Sequence, residues 1–186
     1  MKKNRLLLLG LALVALAGLA ATGCFITSAQ VLAHFALPNP FTINGADGWE
    51  RVDIDLSTNK DYKDNKSKLK DIVDLAVVGT FTNTSGPGGG VEVWITPNNT
   101  NLQGPTAIRA GAIKLWGPGS IGATGSVHNV GWNESATLFT AAGKKMLIDE
   151  AKGDGQFTLY TIGTPASTNV IQVKDGNLIL VLAAGI

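Results

Sequence analysis

The amino-acid sequence predicts a mainly β domain, an antiparallel β-sandwich with one or two short helices, and leaves a small β-barrel as the alternative. Three observations support this fold class. Runs of alternating apolar and polar residues recur along the chain, separated by clusters of Gly, Pro, Asn and Asp. The composition is rich in Gly, Thr and Asn and poor in Glu, which favours strands and turns. The segment 178–182 is apolar at every position, which is typical of a strand covered on both faces.

The first half of this domain is expected to contain three strands. Residues 31–35 open the first strand, and the prolines that follow end it. Residues 51–56 alternate strictly and predict a half-buried strand. The mixed-charge run 60–70 favours a short surface helix or an ordered turn. A long strand then follows to about residue 83, with one face formed by Val73, Leu75, Val77, Gly79 and Phe81.

The middle of the chain adds further strands. Residues 91–96 alternate again, which places Trp94 on the face opposite three aliphatic side chains. Residues 97–105 are expected to form a loop because Pro and Asn break the alternation. Residues 107–116 and 126–132 then predict two more strands.

A single helix is expected after residue 132. Asn133 can cap this helix and Gly153 can end it, and apolar side chains recur at helical spacing between them. Gly143 can divide the helix into two pieces, because glycine weakens a helix interior. Residues 156–162 then predict a strand.

The last segment predicts a tight β-hairpin in the core of the fold. Two apolar runs, 170–174 and 177–183, are joined by Asp175-Gly176, a pair that favours a two-residue turn with positive φ at both positions. Because the second run is apolar on both faces, we expect it to lie between two neighbouring strands rather than at a sheet edge.

Charge and cysteine content exclude several functional classes. The chain has 15 Lys and Arg and 14 Asp and Glu, and loss of the first 23 residues would leave 12 basic and 14 acidic residues, a net charge of −2. This balance predicts no nucleic-acid partner and no basic patch for anionic lipids. The single Cys leaves neither a disulfide nor a Cys-based zinc site in the expected domain, residues 31–186.

Residues 1–23 have the three parts of a secretory signal peptide. Basic residues open the segment, an uncharged apolar stretch spans residues 6–21, and small residues precede Cys24. The apolar stretch falls short of the ~20 residues of a comfortable membrane span. The alternative is an uncleaved N-terminal anchor helix.

The residues Ala21-Thr22-Gly23-Cys24 resemble the lipobox of bacterial lipoproteins, a family in which Leu is preferred at the position of Ala21. The resemblance implies cleavage after Gly23 and a diacylglycerol on the Cys24 sulfur. Two or three acyl chains would fix the protein to a membrane, the partner that this resemblance implies. Residues 24–30 would then form a short tether.

The residue after the lipidated Cys influences sorting in this family, and an Asp there favours the inner membrane. This chain has Phe25 at that position. The resemblance therefore implies an envelope location, at the outer membrane if the organism is diderm and otherwise on the outer face of its one membrane.

The sequence predicts no catalytic, cofactor-binding or metal-binding residue. His34 and His128 lie in separate strand-like stretches, and the chain has neither a Gly-x-Ser-x-Gly elbow nor a His-Glu-x-x-His helix. Oxygen-bearing side chains alternate along residues 53–61, but an extended strand without a Gly bend favours a solvated face over a calcium loop. A second weak candidate of the same kind is formed by Asp149, Glu150 and Asp154.

Four tryptophans are candidates for a stacking platform, although aromatic residues of β domains more often lie in the core or at its rim. They are Trp49, Trp94, Trp116 and Trp132. Trp94 is the candidate ligand contact, because an exposed Trp on a sheet face usually has a partner. The alternative is that a helix covers this face.

Two functions of different classes follow from these observations. The first is a lipid-anchored, non-catalytic binding or structural domain, whose partner would be an envelope protein or a surface polymer. The strand–charged run–strand arrangement at Asp53–Phe81 resembles uncharacterised secreted β-sandwich lipoproteins of bacteria, and this resemblance implies no activity. The second function is an envelope hydrolase or carbohydrate-acting enzyme that uses Asp and Glu residues.

Overall fold

The computed structural model describes residues 28–37, 40–98, 100–165 and 167–185, so Gly23, Cys24 and the expected signal segment lie outside the described residues. The strands in chain order are β1 Ser28–Ala36, β2 Phe41–Asn44, β3 Trp49–Asp55, β4 Leu69–Ser85, β5 Gly89–Pro97, β6 Ile113–Ile121, β7 Val127–Val130, β8 Gln156–Gly163 and β9 Val170–Gly185. The α-helices are α1 Lys60–Asn65, α2 Gly104–Gly111, α3 Trp132–Thr137 and α4 Ala141–Lys152.

Two antiparallel sheets pack face to face, which confirms the predicted β-sandwich. Sheet A has the strand order β1-β9-β4-β7, with β2 also paired to β9, and sheet B has the order β3-β8-β5-β6. The inner faces of both sheets contribute to one continuous apolar core. The core residues of β9, all less than 2% exposed, are Ile171, Val173, Leu178, Leu180, Leu182 and Ala184.

The predicted hairpin at residues 170–183 is wrong, because this segment is one continuous strand. Asp175 has φ 53° and lies with Gly176 opposite the single residue Gly79 of β4. Two residues opposite one is a β-bulge, which bends a strand without reversing it. The bulge coincides with a change of neighbour, since β2 pairs with β9 before it and β1 pairs with β9 after it. The central position of the C-terminal run is confirmed.

Strand β4 follows the predicted apolar face over most of its length. Leu75, Val77 and Phe81 are buried in the core, but Val73 is 53% exposed. A break in the pairing with β9 between Ile72 and Asp74 changes which side chains point inward, so Ile72 takes the buried position expected for Val73. A bulge shifts the period of two, which alternation alone does not reveal.

The region 104–121 differs from the expectation of a strand over 107–116. Residues 104–111 form helix α2, with Pro105 in its first turn, and the strand begins only at Ile113. Proline suits the first turn because the backbone N–H that it lacks would have no partner there. Ile108 is the only residue of α2 that is buried. A helix with one buried side chain has no repeating apolar pattern, so its sequence does not indicate a helix.

The helix expected after Asn133 forms as two helices, and the interruption lies before Gly143. The link between α3 and α4 pairs with β6 like a short strand: Gly117 N–H donates to Leu138 and Thr140 N–H donates to Leu115. Gly143 lies inside α4, where a Cβ would come within 2.5 Å of the Leu115 Cα. The glycine therefore allows α4 to lie directly on β6.

The charged run forms the expected short surface helix, α1, followed by a 3₁₀ turn at Lys66–Lys68. The Asn59 side chain caps α1 by accepting from Tyr62 N–H at 3.0 Å. Tyr62 is buried, and its hydroxyl donates to the Ala151 carbonyl at 2.7 Å. This contact joins α1 to the last turn of α4.

We expect the free energy of unfolding to fall at alkaline pH, because the buried Tyr62 hydroxyl keeps its proton to a higher pH than the unfolded chain does. Burial, together with the charges of Asp154 and Asp55, raises the pKa of Tyr62 from 10.0 to about 12. Because the unfolded chain loses the phenolic proton first, this contribution to the free energy of unfolding is complete below about pH 10 and is lost as the pH rises to about 12. Urea denaturation near pH 8 and near pH 11.5 measures the decline.

The matched variant for this measurement is Tyr62→Phe. It should be destabilised by about 1 kcal/mol near pH 8, through loss of the hydrogen bond to Ala151. It should also lack the Tyr62 share of the alkaline decline, so its stability should change less between the two pH values. An equal alkaline loss in both proteins would contradict the assignment.

Candidate functional site

The outer face of sheet B, opposite the core, is the surface on which Trp94 lies. Register places Trp94 beside Tyr160 of β8 and Lys114 of β6. As the alternation predicts, Glu92 and Thr96 share this face with Trp94, whereas the three aliphatic side chains of β5 are buried in the core. We call the surface formed by Trp49, Glu92, Trp94, Lys114 and Tyr160 the Trp94 face.

Helix α2 and the loop before it cover part of the Trp94 face. Ile108 of α2 packs on Tyr160 and Ile162 in a second, smaller apolar cluster. The half-buried residues around this cluster are Trp49, Trp94, Leu102 and Ala112. Helix α2 therefore covers part of the face, as one of the two alternatives for Trp94 expects, and leaves the indole half-buried.

Glu92 is the buried charge at the centre of this face, with a side chain only 5% exposed. Its carboxylate accepts from Lys114 Nζ at 2.5 Å and from Trp94 Nε1 at 3.2 Å. Arg109 Nε of α2 lies 3.7 Å from the same carboxylate, and the Arg109 guanidinium also donates to the Gly163 carbonyl. A buried carboxylate needs such partners, and here they connect β5, β6 and α2.

The charge balance of this cluster favours binding of an electron-rich group. One carboxylate faces two cations, so the cluster carries a net positive charge. The Lys114 ammonium lies 5.3 Å from the centre of the Trp94 ring, within the range of a cation–π contact. The half-exposed indole and the ammonium together offer a flat apolar surface beside hydrogen-bond donors.

The carboxylates of strand β3 serve local structure. Asp53 accepts from Arg51 at 2.9 Å and from the Thr158 hydroxyl at 2.7 Å. Burial raises the pKa of Asp53, but the hydrogen bonds from Thr158 and Arg51 and the Arg51 charge outweigh it, and the net pKa is lowered. Asp55 accepts from Ser57 N–H at 2.8 Å.

The calcium interpretation gains no support from these contacts. The oxygens that alternate along residues 53–61 act in an ion pair and in helix caps instead of converging on one point. Within the part of the chain that the structure describes, no three His, Cys, Asp or Glu side chains are grouped as metal ligands.

Of the other three tryptophans, Trp49 lies around the same apolar cluster as Trp94, whereas Trp116 and Trp132 lie elsewhere. Trp116 is fully buried and donates from Nε1 to the Ser135 hydroxyl at 3.0 Å. Trp132 donates to Asp74 at 2.8 Å, on the outer side of sheet A. The four residues therefore occupy three different environments.

The other candidate residues are likewise dispersed. His34 is exposed on β1. His128 Nε2 lies 2.8 Å from the Glu134 carboxylate at the surface. The second acidic candidate consists of Asp149, Glu150 and Asp154. Within it, burial and the neighbouring charges of Asp154 and Asp149 raise the pKa of Glu150.

Sequence reasoning missed two partners of Glu92, namely Arg109 above the Trp94 face and Lys114 within it. Arg109 belongs to a segment expected to be a strand, so its position above Glu92 follows only from helix α2. Lys114 lies opposite Trp94 because of a pairing irregularity between β5 and β6, for which no local sequence pattern exists.

Comparison with known proteins does not assign the chain to a family. No family model matches it, and no curated protein matches it. Among solved structures, a chain from the Desmodium yellow mottle tymovirus is similar, with 11% sequence identity, a TM-score of 0.30, and coverage of 86% of this chain and 88% of that chain. A TM-score this low carries no argument about function.

Proposed function

We propose that the protein is a lipid-anchored component of a bacterial cell envelope, with a non-catalytic β-sandwich that binds an envelope protein or a surface polymer. The lipid is attached through Cys24 after cleavage at Gly23. The binding surface is the Trp94 face. In a diderm organism the membrane is the outer membrane.

The observation that carries this proposal is the position of the first described strand. Strand β1 begins at Ser28, four residues after Cys24. Four residues span at most about 14 Å when fully extended. A domain anchored through a lipid on Cys24 would therefore lie close to the membrane surface, which suits a protein that works there.

The chemistry of the Trp94 face supports binding rather than catalysis. Glu92, its buried carboxylate, is held by Lys114, Arg109 and the Trp94 N–H, so its oxygens already have partners within the protein. A half-exposed indole beside an ammonium group fits a ligand with an apolar surface and a hydrogen-bond acceptor.

Within the described residues, no helix has the length and apolarity to cross a bilayer.

The anchor is tested by the variant Cys24→Ser in the full-length chain. We expect metabolic labelling with a fatty-acid analogue to mark the wild-type protein and to fall to background in Cys24→Ser, because the sulfur is the site of lipid attachment. The variant should remain uncut or be released from the membrane fraction. Label that persists in Cys24→Ser would exclude the lipoprotein assignment.

A further inference from the structure

An open cavity of about 540 Å³ lies where α1, the start of β4 and the end of α4 meet. We call it the lysine cavity. Its lining residues are Lys63, Lys66, Ser67, Leu69 and Lys152. Three of these five residues are cationic and none is acidic. This local cluster departs from the expectation, drawn from the near-neutral charge of the whole domain, that there is no basic patch for anionic lipids.

The lysine ammonium groups of the cavity form no ion pair with a carboxylate of the described residues. Among the described residues, no Asp or Glu lies within ion-pair distance of the three ammonium groups, whereas Lys60, nearby on α1, pairs with Asp64. Lys66 Nζ donates to the Asp154 carbonyl at 3.0 Å, a neutral acceptor. The Asp154 carboxylate instead accepts from a backbone N–H at the start of β8.

The cavity lies at the same end of the sandwich as the start of β1. Leu69 pairs with Ala184 of β9, and Ala184 pairs on its other side with Ala29. Adjacent strands are about 4.8 Å apart, so Leu69 lies about 10 Å from β1. The 16 residues of β9 extend roughly 50 Å, so the far end of sheet A lies well away from this position.

A short link therefore keeps this end of the domain within reach of the membrane, without fixing its orientation. Cys24 lies within about 14 Å of Ser28, as its four-residue separation requires. A lipid on Cys24 brings the bilayer surface to this end, where Lys68 and Lys70 are also exposed. Unneutralised ammonium groups facing a bilayer attract the phosphate groups of anionic lipids.

We propose that the lysine cavity binds the phosphate of an anionic phospholipid in the membrane that carries the anchor. This inference rests on the proposed lipid anchor. The lipid chains hold the protein to the bilayer, and the cavity fixes the orientation of the domain on it. The Trp94 face then has a defined direction relative to the membrane.

Amine footprinting of the lipidated full-length protein in vesicles tests this orientation. One set of vesicles contains phosphatidylglycerol and the other only phosphatidylcholine. A water-soluble amine reagent should acylate Lys63, Lys66 and Lys152 about fivefold more slowly in the phosphatidylglycerol vesicles, since a lysine near an anionic surface gains about 1 kcal/mol. Lys174, near the other end of β9, should react equally in both. Equal rates at the cavity lysines would overturn the proposal.

A third arm separates a lipid from a free anion. Phosphatidylcholine vesicles with added inorganic phosphate should leave the three lysines reactive. Protection there equal to that with phosphatidylglycerol would overturn the assignment to a lipid headgroup. The mass of the Cys24 peptide in the same digest reports the anchor separately, so a missing lipid is not confused with a failed cavity.

Two charge-matched variants identify the cavity as the docking element. The first is K63Q/K66Q/K152Q and the second is K144Q/K145Q/K174Q, which removes the same charge elsewhere. Footprinting then follows Lys68 and Lys70, which are intact in both. Their protection by phosphatidylglycerol should disappear in the first variant and persist in the second. Protection that persists in the first variant, at an unchanged urea midpoint, would overturn the proposal.

Discussion

Leu180→Ala is expected to lower the free energy of unfolding by about 2–5 kcal/mol. Leu180 is fully buried, and its partners in register are Leu75 on β4 and Ala33 on β1, both also buried. Truncation would leave a cavity in the core beneath β9. The flanking strands β1 and β4 cannot move in to fill it without breaking their hydrogen bonds with β9. Urea denaturation of the full-length Cys24→Ser chain measures the loss.

The control for this prediction is Leu32→Ala on β1. Leu32 is 58% exposed and points away from the core. Its truncation removes the same atoms from the same sheet but leaves no cavity, so the expected change is within about 0.5 kcal/mol. A Leu180→Ala midpoint equal to that of Leu32→Ala would show that β9 is not central.

Trp116→Ala is expected to have a loss of similar size, about 3–5 kcal/mol. The indole is fully buried, contacts Phe81 edge to face at 6.2 Å between ring centres, and donates to Ser135. Its removal would lose the packing and leave the buried carbonyl and hydroxyl of Ser135 without this donor. Thermal and urea unfolding both report the change.

Trp94→Ala is the matched tryptophan variant, and its effect should be different in kind. Trp94 is only half-buried, so its loss should cost less stability than that of Trp116. Purification of the lipidated protein from membranes should, however, lose the bound envelope partner in Trp94→Ala. If Trp116→Ala were no less stable than Trp94→Ala, the assignment of these two residues to core and surface would be wrong.

The limits of the sequence are clearest at Asp175-Gly176. The pair favours a positive φ, and Asp175 does adopt one. The same local preference suits a hairpin turn and a bulge, and the outcome depends on the strand available beside it. Strand β4 is long enough to pair with residues on both sides of the bulge, so the chain continues instead of turning back.

Alternation predicted well those features that depend on one strand alone. The two faces of β5, the burial of Leu178, Leu180 and Leu182, and the surface helix in the charged run all follow from local periodicity. The contacts that build the sites come from distant segments. Arg109 meets Glu92 through helix α2, and Lys152 lies in the same cavity as Lys63 where the Tyr62 hydroxyl joins α1 to α4. Periodicity contains no information about such pairings.

Pairing of Ser28 with Gly185 has a consequence for the order in which this protein acquires its structure. The first strand of sheet A cannot find its partner before residues 177–185 have been synthesised, because these residues form its paired strand. Contacts this distant in sequence make folding slow. In a chain that passed through a membrane channel while still being made, sheet A would therefore stay incomplete until residues 170–185 arrive. For a secreted chain, such late closure of the sheet would leave the nascent polypeptide competent for export.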